Sequence, residues 1–296
     1  MLKRIGSVAL PPHDSGDYDH ADVHKSSGKV YIAHTANGTV EVVDGEALKH
    51  LKTITGCPEA SGVLCAQDEG MVFAASRESG KILVIDSVAD RTVREIQAGS
   101  RPNGLAWDTR RKHLLVADVK DNTARLVDPQ SGRMLRELVL PGRPRWTLYE
   151  RGMDMFLVNI KDPPGVALVS PDPLVEKGFV SISVQGPHGL ETVEGKAFVA
   201  CDGKSLVAVN LKDGKELGAV PLSGEPDVLW SNPAKNRIYC AIGSPGVIDA
   251  IDTKELAQKE TVTTEEGAHT LTFDAKRQRL YAMLPESQCA AVYSEE

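Results

Sequence analysis

Seven units of about 40 residues, one spare N-terminal strand, and a last unit that runs out one strand short together predict an all-β fold. The expected architecture is a seven-bladed β-propeller of four-stranded antiparallel blades, closed by the N-terminal strand in the last blade. The repeat carries the argument. Its first half is an apolar run usually ending in Asp, then a polar turn, a second strand and Gly. It recurs as VEVVDGEALKHLKTITG, ILVIDSVADRTVREIQAG, ARLVDPQSGRMLRELVLPG, VALVSPDPLVEKGFVSISVQG, LVAVNLKDGKELGAVPLSG and VIDAIDTKELAQKETVTTEEG. Each reads as a hairpin. Between these lie GVLCAQDEGMVFAAS, GLAWDTRRKHLLVAD, GLETVEGKAFVAC and LTFDAKRQRLYAML, apolar on either side of a polar turn, which supply two further strands per unit.

With the first residue of each innermost strand as an anchor, the series is His20, Ser61, Asn103, Trp146, His188, Asp227 and His269, at spacings of 41, 42, 43, 42, 39 and 42. After the last anchor the chain ends one strand early, whereas Leu2 to Leu10 precede the first anchor with no partner of their own. Pairing that segment into blade seven satisfies both open edges, since unpaired strand edges lose hydrogen bonds and invite aggregation. Residues 1–296 are thus expected to form one propeller domain.

The strand pairs KVYIAHTANGTVEVVD, MVFAASRESGKILVID and HLLVADVKDNTARLVD, with the hinges GSRPNGLAWD and GEPDVLW, resemble the YVTN-repeat family of bacterial propellers over essentially the whole chain. More distantly the chain resembles streptogramin lyase-like propellers. The resemblance implies the fold. It leaves function open, because such propellers include scaffolds as well as enzymes.

Composition narrows the partners. A formal charge of -7 and scattered basic residues argue against nucleic acid, and Arg110-Arg111-Lys112 reads as a solvated turn. No window approaches a membrane span, and the N-terminus lacks the apolar core of a signal peptide. A soluble cytoplasmic monomer is the expectation. The five cysteines, Cys57, Cys65, Cys201, Cys240 and Cys289, are odd in number and lack CxxC spacing, which suits buried free thiols. Walker, GxGxxG, GxSxG, HExxH and EF-hand patterns are absent.

In a propeller the anchors and the ends of the second strands meet at one channel mouth. Blades five, six, seven and one are consecutive around a closed ring, which places His188, Asp227, His269 and His20 in one quadrant. Three imidazoles and a carboxylate form a ligand set for a divalent transition metal, with zinc, iron, manganese, nickel and copper all compatible. Polar residues that merely hydrate the pore are the competing explanation. Opposite lie Asn103, Arg145 and Trp146 as candidate substrate contacts, Arg145 to fork an anionic group and Trp146 to pack an apolar one. Because Arg145 and Trp146 are adjacent, at most one is expected to face the channel. Glu59, near Ser61, is a candidate general base, and His34 a candidate acid or base. The second-strand ends add Asp118 to the substrate contacts, with Asn159 and Cys201 nearby. His13, His24, His50 and His113 are given no chemistry. Two functions compete: a metal-dependent enzyme of lyase or hydrolase type acting on a small molecule at the mouth, and a non-catalytic scaffold for a protein or peptide.

Overall fold

The computed structural model describes residues 1–295 and forms a ring of seven sheets, each of four antiparallel strands. The inner strands are Ala21–His24, Ala60–Ala66, Pro102–Asp108, Pro144–Glu150, Pro187–Val193, Pro226–Asn232 and Thr270–Asp274. Leu2–Ala9 is the outermost strand of blade seven, antiparallel to Cys289–Glu295 with Leu2 opposite Glu295 and Ala9 opposite Cys289. Leu10 lies just past that strand, with its N–H donated to Gln288 O at 2.9 Å.

The repeating Asp has a local cause. In Asp44, Asp86 and Asp252 one carboxylate oxygen accepts the N–H groups two and three residues on, so the side chain shapes the turn into the outer strand. Second and third strands are buried almost throughout, whereas outer strands such as Arg91–Gln97 are largely exposed. The core therefore sits between blades: Tyr31, Val42 and Ile54 of blade one pack with Val63, Val72 and Ile85 of blade two. At the mouth the blades approach so closely that glycine is required. A Cβ at Gly62 would lie 2.0 Å from Asn103 O, and one at Gly104 2.5 Å from Arg145 O.

Strand register corrects two anchors. Pro144 pairs with Ile160 as Pro102 pairs with Asp118, so Arg145 is the counterpart of Asn103, and Trp146 that of Gly104. Likewise Ala21 faces Ile32 as Val63 faces Ala74, which makes Asp19 the counterpart of Ser61, and His20 that of Gly62. The equivalent ring is therefore Asp19, Ser61, Asn103, Arg145, His188, Asp227 and His269. A one-residue slip matters because it turns a strand side chain to the other side.

All five cysteines are buried and unbridged. Burial pushes the Cys57 thiol up to about 12, and Cys201 likewise to about 12. Denatured, unreduced protein is expected to titrate with five thiols, while the native protein reacts slowly. A count of one or three would contradict this.

Candidate functional site

Closure of the ring puts the anchors of blades four to seven side by side. His188 is clamped between two carboxylates: its Nε2 lies 2.7 Å from Asp227 Oδ1, and its Nδ1 lies 3.1 Å from Asp202 Oδ1. Burial disfavours the imidazolium, but these two anions outweigh it and raise the His188 pKa to about 9. Asp227 is buried too, yet His188 and His269 hold its carboxyl far below the usual range. His269 donates its Nδ1–H to Gly267 O, 2.8 Å away, and its Nε2 stands 3.8 Å from Asp227 Oδ2 and 3.9 Å from Asp17 Oδ2. Against its own burial, Asp227, Asp19 and Asp17 raise the pKa of His269.

A cleft of 580 Å³ opens over this cluster, lined by Arg145, Lys161, His188, Asp202, Asp227 and His269 among others. Arg145 Nη1 is 3.2 Å from His188 Nε2, and Lys161 Nζ is 2.9 Å from Asp202 Oδ2. Arg143, exposed beside Arg145, has no side-chain hydrogen bond or ion pair among the described residues. The cleft lining carries Arg145, Lys161 and Lys204 alongside the carboxylates Asp202, Glu225 and Asp227.

The fourth candidate ligand is elsewhere engaged. His20 turns its Nε2 to Asp19 Oδ1 at 3.2 Å, and its ring lies 4.4 Å from that of Trp146, two blades having come together across the channel. Burial lowers the His20 pKa, against the opposing pull of Asp19 and Asp227. Trp146 belongs to the channel and Arg145 to the cleft, so both adjacent residues face a cavity, but different ones. Among the described residues no group of three or more His, Cys, Asp or Glu side chains stands in metal-holding geometry.

The remaining candidates lie apart from the cleft. Glu59 is ion-paired to Arg101 at 2.9 Å on the rim of blade two. Asn103 accepts from Arg77, which also pairs with Asp19 at 2.6 Å. Asp118 is fully buried and accepts the N–H groups of Ser100, Arg101, Lys120 and Asp121 as well as Arg125 Nη1, so its lone pairs are used in holding the hinge. Ser61 bonds to Ala75 O and Pro102 O. Asn159 donates to His188 O and Gly189 O, and Cys201 is buried. His34 is fully buried, 3.2 Å from Glu41 Oε1 and 2.8 Å from His13 Nδ1, and reaches neither cavity.

Sequence reasoning missed Asp202, Lys161 and Asp19 at the mouth. Asp202 directly follows Cys201, Asp19 directly precedes His20, and Lys161 lies two residues past Asn159, so each stands within two residues of one singled out by the repeat. It also missed Asp22 and Glu191, three residues past the corrected anchors. There the other blades carry Leu64, Ala106, Leu148, Trp230 and Thr272, none of them charged, and a carboxylate in such a row is a detectable departure.

Fold and mouth together define a seven-bladed β-propeller with a charged cleft at one end of its channel. No protein-family model matches the chain, nor does any curated protein, so the YVTN resemblance rests on the repeat alone. Among solved structures the chain is similar to Kuenenia stuttgartiensis hydrazine synthase, with a TM-score of 0.86 and 14% identity over 96% of this chain and 97% of that one. That neighbour is an enzyme. At this identity the likeness shows the fold and leaves the site to be argued from its own residues. Among the described residues no helix is long and apolar enough to cross a membrane.

Proposed function

We propose that the mouth cleft is the active site of an enzyme acting on a small anionic molecule, with Asp227, His188 and His269 holding a divalent transition metal. One observation carries the reading: two imidazoles present Nε2 toward the same carboxylate while an oxygen fixes each Nδ1, Asp202 for His188 and Gly267 O for His269. Outer oxygens of this kind orient metal-ligating histidines and raise their basicity. The ion would replace the proton that His188 now shares with Asp227, and Asp17 stands beside His269 as a further ligand. His20, turned to Asp19, is left out of the set. Nitrogen and oxygen donors suit zinc, iron(II), manganese, nickel or copper. Such an ion polarises a carbonyl or activates water, chemistry that serves a lyase or a hydrolase. Arg145, Lys161 and the unpaired Arg143 supply the grip on the anion.

The direct 2.7 Å contact of His188 with Asp227 favours a second reading, in which no metal intervenes and the imidazolium is a general acid at neutral pH. Calorimetric titration with zinc, nickel, manganese and, anaerobically, iron(II) separates the two. Stoichiometric binding is expected, weakening in acid as the imidazoles protonate and disappearing in His188→Ala and His269→Ala while the far-UV spectrum is unchanged. Binding of none of the four would overturn the metal. Retention of Arg145-dependent citrate or phosphate binding would then favour the general acid, and loss of both would favour a scaffold.

A further inference from the structure

Beneath the mouth, the mutually tilted rings of His20 and Trp146, 4.4 Å apart, line the top of a second cavity of 320 Å³ inside the channel. That volume is at the lower end of small-molecule pockets. All three tryptophans of the chain, Trp107, Trp146 and Trp230, line it, as do the two carboxylates Asp22 and Glu191. Neither carboxylate has an ion-pair partner among the described residues. Glu191 accepts from Ser231, whose hydroxyl lies at 2.7 Å, and Asp22 accepts the backbone N–H groups of Val23 and Cys65, both at 2.7 Å. Thr147, 3% exposed and also lining the cavity, has a hydroxyl with no hydrogen-bond partner.

Buried charges in proteins are normally paired, and aromatic faces attract cations. We propose that this cavity binds a compact organic cation, an ammonium group whose charge meets Glu191 and Asp22 and whose apolar body rests on the tryptophans. Entry is from the opposite mouth, where Lys25, Gln67, Asp68 and Thr109 line the cavity. Lys25, exposed there, offsets only part of the negative charge. The assignment does not depend on the mouth cleft, which shares none of these residues.

Burial raises Glu191 to about 7, with the Ser231 hydroxyl and Lys25 opposing and Asp22 assisting. A cation favours the ionised carboxylate, so affinity is expected to rise as pH is raised through 7. Asp22, His20, Lys25, Cys65, Asp68 and Tyr149 are the other charged or titratable groups facing the cavity.

Because every tryptophan lines the cavity, intrinsic fluorescence reports occupancy directly. Choline, tyramine and butylammonium are the probes, with 3,3-dimethylbutanol as the uncharged counterpart of choline. At least one cation is expected to give a saturable change that the alcohol does not. Glu191→Gln should weaken it by about tenfold or more and flatten its pH dependence, while the far-UV spectrum and metal binding at the mouth stay as in the parent. No saturable response to any of the three cations, equal response to the alcohol, or an unweakened folded Glu191→Gln protein would overturn the proposal. The choline comparison uses the parent chain, so it decides the matter even if the variant fails to fold.

Discussion

Removal of the first ten residues is expected to destabilise the propeller by about 5 kcal/mol, because two buried side chains of the closing strand each contribute about 1.5–3 kcal/mol and its ladder hydrogen bonds are lost with them. Leu2 and Val8 are those side chains, and Leu10 adds a third apolar contact next to the strand. A domain's whole stability is about 5–15 kcal/mol, so the loss is of the same order as the total. The deletion also exposes Cys289–Glu295 as an unpaired edge, which favours association through that strand. Urea denaturation would show a lowered midpoint, and light scattering would show oligomers or aggregate. A truncated chain that stays monomeric with an unchanged midpoint would mean that the ring does not need this strand.

That closure was legible because it follows from counting: one strand too many at the start and one too few at the end admit a single solution. The blades were legible for a related reason, since the Asp turns and the apolar strands each have a local physical cause. The site was less so. The repeat gave Ser61, Asn103, His188, Asp227 and His269 in their structural register, blades six and seven even without the glycine found at Gly62, Gly104 and Gly189, which blades one and four lack as well. Without it, the conspicuous His20 and Trp146 were taken for anchors in place of Asp19 and Arg145. Chemistry drew attention to the larger or more reactive neighbour, whereas backbone pairing decides which one faces the mouth. Contacts between blades, such as Asp202 with Lys161 or Arg77 with Asp19, join residues about 40 or more positions apart and leave no trace in local pattern.

Removal of the buried carboxylate Glu41 is the second large effect expected. Glu41 is fully buried and accepts from Thr39 Oγ1 at 2.6 Å, Thr53 Oγ1 at 2.6 Å, His50 Nε2 at 2.8 Å and His34 Nδ1 at 3.2 Å. With His34 Nδ1–H donating, its Nε2 accepts from His13 Nδ1 at 2.8 Å, and the His13 carbonyl in turn accepts from Gln288 at 2.6 Å. One carboxylate thereby ties blade one to the N-terminal connector and, through it, to blade seven. Glu41→Ala leaves two imidazoles and two hydroxyls without their acceptor, His34 and Thr39 buried and His50 and Thr53 half-buried, and each buried donor stranded in this way costs about 1–3 kcal/mol. Glu41→Gln keeps the shape and should cost about 1–3 kcal/mol. Burial pushes the Glu41 carboxyl up, but the four hydrogen bonds outweigh it and hold its pKa below the ordinary 4.5. A carboxyl depressed by folding contributes stability above its unfolded pKa and loses it as pH falls through the folded one. The stability gap between the parent and Glu41→Gln should therefore be widest near neutrality and narrow below pH 4.5. Parallel urea melts at neutral and acid pH measure it, and a gap that stays constant across that range would show that the carboxylate charge contributes nothing to the tie.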